Sequence, residues 1–283
     1  MRSVSLLVNP AAGRGRATRV SAAVEQRLRD HGCAVRLVDY TSTDASIDEV
    51  LAVVGGDGTV HCALPAVADT ATVLGIVPAG GGNDLAAALG IPSDPLAAAD
   101  LIATGAVRRL DLAQAGERWW ATVLGAGFDS AVAARANRMR WPVGPRRYDV
   151  ALLAELGRLR PCLFTLTVDG RAIPVEVTLV AVGNTPMYGG GLRICPDAVL
   201  DDGLLDVTVV GPVSRRELLR VFPKLRAGRH LDHPAVSHYR VSDVTLDAPG
   251  VTAYADGEPV GALPLAITCR RAALRVIAPP QRP

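Results

Sequence analysis

Three nearly uninterrupted apolar runs, each closed by a loop of small residues, constrain this chain more than any other feature. Val4–Val8 leads into Asn9-Pro10-Ala11-Ala12-Gly13, Leu51–Val54 into Gly55-Gly56-Asp57-Gly58-Thr59, and Val73–Val77 into Pro78-Ala79-Gly80-Gly81-Gly82-Asn83-Asp84. Runs of this length read as strands buried on both faces. Helical spacing separates them: Val20, Val24 and Leu28 recur on one face of Thr18–Arg29, and Leu64–Ala68, Asn83 or Asp84 to Leu89, and Pro95–Thr104 also suit helices. With Ala34–Val38 as a further strand, the alternation predicts an open, mostly parallel α/β sheet covered on both faces. One connection is anomalous. Only Tyr40–Val50 joins the second and third strands, and a parallel crossover normally takes a dozen residues or more. Either the crossover is stripped to a turn of helix or the strand order is unusual.

Beyond about residue 112 the pattern changes to strands: Trp119–Leu124, Leu163–Val168, Ile173–Val182, Leu204–Val210, Val241–Leu246, Val251–Ala255 and Leu263–Cys269. Asp169-Gly170 is a two-residue hairpin signal between Phe164 and Val177. Two helices interrupt the strands, Tyr148–Leu159 and Ser214–Leu225. The second opens with Ser214 and Glu217 in capping-box spacing. The expected layout is an α/β domain over 1–112, then a mainly antiparallel domain over 113–270. The boundary near Asp111–Glu117 is a composition shift.

Composition removes several classes. Net charge is +2 and aromatics are 4% of the 283 residues, which argues against nucleic acid and against base-stacking platforms. Cys33, Cys62, Cys162, Cys195 and Cys269 have no paired spacing, so five reduced, mostly buried thiols are expected. Val4–Val8 is too short for a signal-peptide core, and no apolar stretch is long enough to span a bilayer. Lys224 is the single lysine. A Walker A loop and a protein-kinase signature each need a lysine beside their glycines, so any use of ATP follows another route.

Glycines at a strand end let backbone N–H groups approach a phosphate. Gly55-Gly56-Asp57-Gly58-Thr59 and Gly80-Gly81-Gly82-Asn83-Asp84 would flank one crevice at adjacent strand ends, with the loop Asn9-Pro10…Gly13 beside them. Arg14 and Arg16 follow that loop as phosphate-neutralising or solvated cations. Asp57 cannot bind phosphate, but it suits Mg²⁺ or a proton. The Asn-Asp pair reads as an N-cap.

At these residues the chain resembles the diacylglycerol kinase catalytic family, which includes bacterial lipid kinases and sphingosine and ceramide kinases. The likeness continues through Gly125-Ala126-Gly127-Phe128-Asp129, Gly189-Gly190-Gly191…Pro196-Asp197-Ala198, Asp202-Gly203-Leu204-Leu205-Asp206-Val207, Lys224…Gly228…His230 and Asp256-Gly257-Glu258. The resemblance implies a nucleotide-binding α/β domain followed by a β-sandwich, with the chain end, about 271–283, rejoining the first domain and the active site in the cleft between them. It also implies ATP as donor, Mg²⁺ as cofactor, and a lipid hydroxyl of diacylglycerol or sphingosine type as acceptor. Asp256 or Glu258 would be the catalytic base, while Asp57 and Asp129 would order Mg²⁺ and water. ATP would lie against Asn9, Pro10, Gly13, Gly55, Gly56, Asp57, Gly58, Thr59, Gly80, Gly81, Asn83 and Asp84, with Thr41 or Thr43 adding a contact. A structural Mg²⁺ would take Asp202 and the carbonyls of Val199 and Leu204. For Asp201, and for Asp256 without the family, a plain turn is the alternative.

The chain departs from the family pattern at His61 and Cys62, where Asn and Glu are usual, at Gly81 in place of Thr, and in the short Thr41–Val50 segment. His61 reads as a polar residue of a first helical turn rather than a base. The departures keep open a lipid- or nucleotide-binding protein without catalysis; NAD kinase, which shares the Gly-Gly-Asp-Gly-Thr loop, is the other alternative. Arg135, Arg138, Arg140, Arg146 and Arg147 around Met139, Trp141 and Tyr148 would form a docking edge for anionic lipid. The expected location is the cytoplasm, with peripheral contact at the inner face of the membrane.

Overall fold

The computed structural model describes residues 2–38, 47–139, 141–142 and 146–280, with the backbone alone for residue 146. Thr41, Thr43 and Arg140 lie outside the described residues. The chain forms two compact units, Met1–Leu110 with Ala272–Pro283, and Asp111–Arg271.

In the first unit, β1 (Ser3–Val8), α1 (Arg16–Asp30), β2 (Ala34–Val38), β3 (Val50–Gly55), α2 (Asp57–Val67), β4 (Val73–Pro78), α3 (Asp84–Ala88) and α4 (Pro95–Thr104) follow one another. Every residue of β3 and β4 is buried, as runs without polar alternation require. The parallel order is β2-β1-β3-β4. β1 thus sits between β2 and β3, pairing Val4 with Val35 on one side and with Val50 on the other. β2 and β3 are therefore not neighbours in the sheet, although only a short stretch of chain joins them. Helix α1 buries Ala17, Val24 and Leu28 on one face, and α4 starts at Pro95 with Asp94 capping the Ala97 N–H at 2.8 Å. Helix α2 begins directly after Gly56 and includes the Asp57-Gly58-Thr59 segment that the sequence left as loop.

The second unit takes over within β5 (Val107–Ala115). It continues through β6 (Arg118–Trp120), β7 (Val123–Gly127), α5 (Phe128–Arg138), α6 (Arg146–Leu156), β8 (Cys162–Val168), β9 (Arg171–Val177), β10 (Leu179–Gly183), β11 (Leu205–Val210), α7 (Arg215–Arg226), β12 (Val236–Val241), β13 (Asp243–Asp247), β14 (Thr252–Ala255), β15 (Glu258–Ala262) and β16 (Leu265–Ile277). A six-stranded antiparallel sheet runs β12-β11-β10-β7-β14-β15. Strands β9, β8 and β13 and the first part of β16 form the facing antiparallel layer. Trp120, Phe164, Leu124, Val180, Leu205 and Leu246 fill the core. The last part of β16 returns to the first unit, setting Arg275 and Val276 beside Val73 and Leu74.

Several strand limits differ from the sequence reading. Ile173–Val182 is two strands, because Thr178 gives its N–H to the Val210 carbonyl and its hydroxyl to the Gly211 carbonyl. Trp119–Leu124 breaks at Ala121-Thr122, and Phe128–Arg138, read partly as a basic edge, is a helix. All five cysteines are free thiols, with Cys62 exposed and Cys162 half-buried. Burial pushes the Cys195 and Cys269 thiols up to about 12, so neither is a nucleophile.

Candidate active site

In the first unit the loops that follow β1, β3 and β4 leave the same sheet edge. Register places Val8 beside Val54 and Gly55 beside Pro78. The loops hold one another. Asn9 gives its backbone N–H to Val54 and its side-chain amide to the Thr59 hydroxyl at 2.9 Å, while its Oδ1 accepts the Ala11 N–H. Ala79 gives its N–H to the Gly55 carbonyl.

Most of the glycines here are needed for this contact. A Cβ on Gly13 would lie 2.0 Å from the Ala79 oxygen, and one on Gly80 would lie 2.4 Å from the Gly56 Cα. A Cβ on Gly55 would strike the Thr59 side chain at 2.3 Å. Gly58 differs, because nothing lies within 4 Å of where its Cβ would be. It sits in the first turn of α2, where N–H groups lack acceptors within the helix and the helix dipole favours an anion. Gly81 is exposed at the tip of the β4–α3 loop, and Pro10 is exposed beside the first loop.

Asp57 is the first residue of α2, yet its carboxylate caps α3. Oδ2 accepts the Asn83 N–H at 2.7 Å and Oδ1 the Leu85 N–H at 3.3 Å. The expected cap at Asn83-Asp84 is therefore corrected. Asn83 adopts a left-handed backbone with φ 60°, and its side chain closes on both sides of Gly80 at 2.9 and 3.2 Å. Asp84 is buried. Arg16 reaches the Ser93 carbonyl, and His61 and Cys62 follow on α2 with Cys62 exposed.

In the second unit, Asp256-Gly257 forms the turn between β14 and β15, with φ of 54° and 86°. Asp169-Gly170, between β8 and β9, has nearly the same backbone, with φ of 50° and 74°. Their surroundings differ. The Thr122 hydroxyl donates to Asp256 Oδ1, and the Asn137 amide donates to the Gly257 carbonyl at 2.8 Å. The Asp169 carboxylate has no hydrogen bond or ion pair among the described residues. Glu258, two residues after Asp256, is exposed.

Asp129 lies in the first turn of α5 and folds back over β7. One carboxylate oxygen stands 2.0 Å from where a Gly125 Cβ would be, so only glycine fits there. The Tyr188 hydroxyl donates to the other oxygen at 2.7 Å. Burial pushes the Asp129 carboxyl above the ordinary range, partly opposed by that hydrogen bond.

Asp202 was expected to hold Mg²⁺. Its Oδ1 accepts the Leu204 N–H at 2.9 Å and its Oδ2 pairs with Arg240. In this arrangement a guanidinium stands beside Asp202 where the expected ion would bring its positive charge. The adjacent Asp206 carboxyl is fully buried, pushed up by burial and bonded to His238 at 2.8 Å. Among the described residues no group of three or more His, Cys, Asp or Glu is arranged to hold a metal.

Sequence reasoning missed Thr122, Asn137, Tyr188 and Asn184. Asn184 is 1% exposed and gives its side-chain amide to the carbonyls of Asp111 and Ala121 and its backbone N–H to the Thr122 carbonyl. None of the four lies in a glycine-rich motif. The pairing of β7 with β14 brings Thr122 to Asp256, while Asn137 reaches Gly257 from α5.

A family profile described as a diacylglycerol kinase catalytic domain matches residues 3–115. A second, described as a YegS C-terminal NAD kinase beta sandwich-like domain, matches residues 122–278. A protein of Mycobacterium tuberculosis named diacylglycerol kinase is 43% identical, over 98% of this chain and 95% of that one. A crystal structure of a putative diacylglycerol kinase from Bacillus anthracis superposes with TM-score 0.80 at 23% identity, over 99% and 98% of the two chains. An NAD kinase from Archaeoglobus fulgidus gives TM-score 0.58 at 13% identity, over 99% and 94%, a more distant likeness of fold. With both profiles in chain order and a relative of that identity along nearly its whole length, this chain belongs to the diacylglycerol kinase catalytic family of lipid kinases.

Proposed function

We propose that the chain transfers the γ-phosphoryl group of ATP to a hydroxyl of a diacylglycerol- or sphingosine-like lipid. In this reading the open first turn of α2, at Asp57 and Gly58, gives N–H groups to nucleotide phosphate oxygens. Asp57 keeps the second loop, Gly80–Asn83, in place beside it and acts as a positioning residue. Mg²⁺, when bound, would neutralise charge on the transferring group.

Asp256 acts as the base. Its carboxylate takes the proton of the lipid hydroxyl as the new oxygen–phosphorus bond forms and the bond to the β-phosphate oxygen breaks, leaving ADP. The Thr122 hydrogen bond fixes the orientation of the carboxylate. Asp129, held by Tyr188, orients the acceptor side.

The observation that carries this reading is the contrast between the two Asp-Gly turns. Asp169 and Asp256 share a backbone conformation, yet only Asp256 is clamped through Thr122 and, via Gly257, Asn137. A turn that served the hairpin alone would need neither contact. The test is transfer of label from γ-labelled ATP with Mg²⁺ to a panel of lipids, with NAD in parallel. Labelled lipid in the wild type, lost in Asp256→Asn and retained in Asp169→Asn, is the expected result. Labelled NAD, or equal turnover in Asp256→Asn, would overturn it.

A further inference from the structure

Helix α7 has the sequence Arg-Arg-Glu-Leu-Leu-Arg-Val-Phe-Pro-Lys-Leu-Arg, and none of its residues is buried. Arg215, Arg216, Arg220, Lys224 and Arg226 stand against Glu217 alone, a surplus of four positive charges on a chain whose total is +2. Glu217 is itself engaged in the capping box with Ser214. Leu218, Val221, Phe222 and Leu225 are half-buried and seat the helix on the second unit. At 3.6 residues per turn the exposed face carries Leu219 and Pro223 in one line. Arg215 and Arg226 flank that line on one side, and Arg216, Arg220 and Lys224 on the other. Leu219 is 50% exposed. Among the described residues no carboxylate pairs with Arg216, Arg220, Lys224 or Arg226.

The same surface extends onto α6. Arg215 gives its guanidinium N–H to the Gly157 carbonyl, just past the end of α6, at 2.5 Å. The inner face of α6 packs Ala151, Tyr148 and Leu152 against Val132 and Ala136 of α5. Its outer face exposes Val150, Leu153, Ala154 and then Gly157, a helical spacing of apolar and small residues turned to solvent. Leu153 is 63% exposed, and Trp141, before α6, is 81% exposed. Arg160, and Arg158 at 3.8 Å from Glu155, continue the basic rim. By contrast, Arg135, expected from the sequence as part of a docking edge, is tied to Glu155.

We infer that α7 and the outer face of α6 form one docking surface for an anionic lipid bilayer. An apolar line rimmed by cations matches a bilayer surface, where acyl chains lie beneath phosphate groups. Nucleic acid offers the charge without an apolar layer, and an exposed Leu and Trp line would gain nothing from it. The choice of a bilayer as occupant rests on the lipid-acceptor reading as well as on this charge pattern.

The test is flotation of the full chain with phosphatidylcholine vesicles, with and without phosphatidylglycerol. The wild type is expected to float with the anionic vesicles and much less with the neutral ones. Arg216→Glu/Arg220→Glu/Arg226→Glu is expected to lower anionic-vesicle affinity by at least about tenfold. The milder Gln triple, folded by circular dichroism, is expected to fall in the same direction. Leu153→Asp/Leu219→Asp is expected to weaken the binding that remains in high salt. Wild-type flotation by the Glu triple, no wild-type flotation, or equally tight binding of short duplex DNA would each overturn the inference. The kinase reading is separated by a short-chain diacylglycerol dispersed in detergent, which the Glu triple is expected to phosphorylate like the wild type. If neither protein labels that lipid while flotation behaves as expected, the kinase reading fails and the docking surface stands.

Discussion

Thr122 donates its hydroxyl to the carboxylate of Asp256, 134 positions later in the chain. The contact ties the approach to a central strand to the turn beyond its neighbour. Thr122 is 3% exposed, so the hydroxyl has little access to water as an alternative partner. Replacing it by valine removes a hydrogen bond to a charged group, which is typically worth about 1.5–3 kcal/mol. Thr122→Val is expected to lower kcat by about tenfold or more with little change in KM for lipid. Thr122→Ser, which keeps the hydroxyl, is expected to restore most of kcat.

Asp57 offers a test of a different kind. Its two hydrogen bonds to Asn83 and Leu85 cap a helix that has no side-chain cap of its own. Asp57→Ala is expected to cost about 1–2 kcal/mol of stability in urea unfolding and to abolish ATP binding by freeing the second loop. Asp57→Asn keeps one acceptor oxygen and is expected to lose less stability than the alanine variant while still losing most transfer.

Two glycines a short distance apart should behave oppositely. Gly80→Ala places a Cβ against the Gly56 backbone and is expected to destabilise by about 1–3 kcal/mol, with ATP affinity falling as the loops part. Gly58→Ala meets open space and is expected to leave stability unchanged or raise it by up to about 1 kcal/mol. Its ATP affinity should nevertheless fall, because the methyl group crowds the phosphate. Thermal unfolding with and without ATP distinguishes the two.

The raised Asp129 carboxyl gives a pH dependence with a definite sign. The folded protein holds this proton above the pH at which the unfolded chain releases it. The associated stability is fully present below the ordinary aspartate value of 3.8 and is lost as pH rises through the higher folded value. Asp129→Asn, which still accepts from Tyr188, removes that titration. Urea unfolding across this range is expected to show the variant gaining on the wild type as pH rises, and the gap closing in acid.

Much of the first unit was legible in sequence. The apolar stretches ending at Val54 and Val77 have no polar face to turn outward, so burial on both sides was forced. Glycine clusters at their ends marked the loops. The Ser214–Glu217 capping box was also readable, because both partners lie within one turn. The break at Thr178 was not legible. Val175–Val182 is apolar enough to pass for one strand, and the bend depends on Val210 and Gly211, more than thirty residues away.

Local quantities belong to the sequence alone: period, turn chemistry, and the order of glycine-rich and acidic motifs. What those motifs do was settled by the fold. Asp169-Gly170 and Asp256-Gly257 are alike to any local rule, since both need only a residue that tolerates positive φ followed by glycine. Thr122 and Asn137 separate them. Asp57 reads as an acid in a phosphate loop until α3 is seen to start on its carboxylate. These distinctions rest on hydrogen bonds between residues far apart in the chain, and such partners are chosen by strand order and register, which no short window of sequence contains.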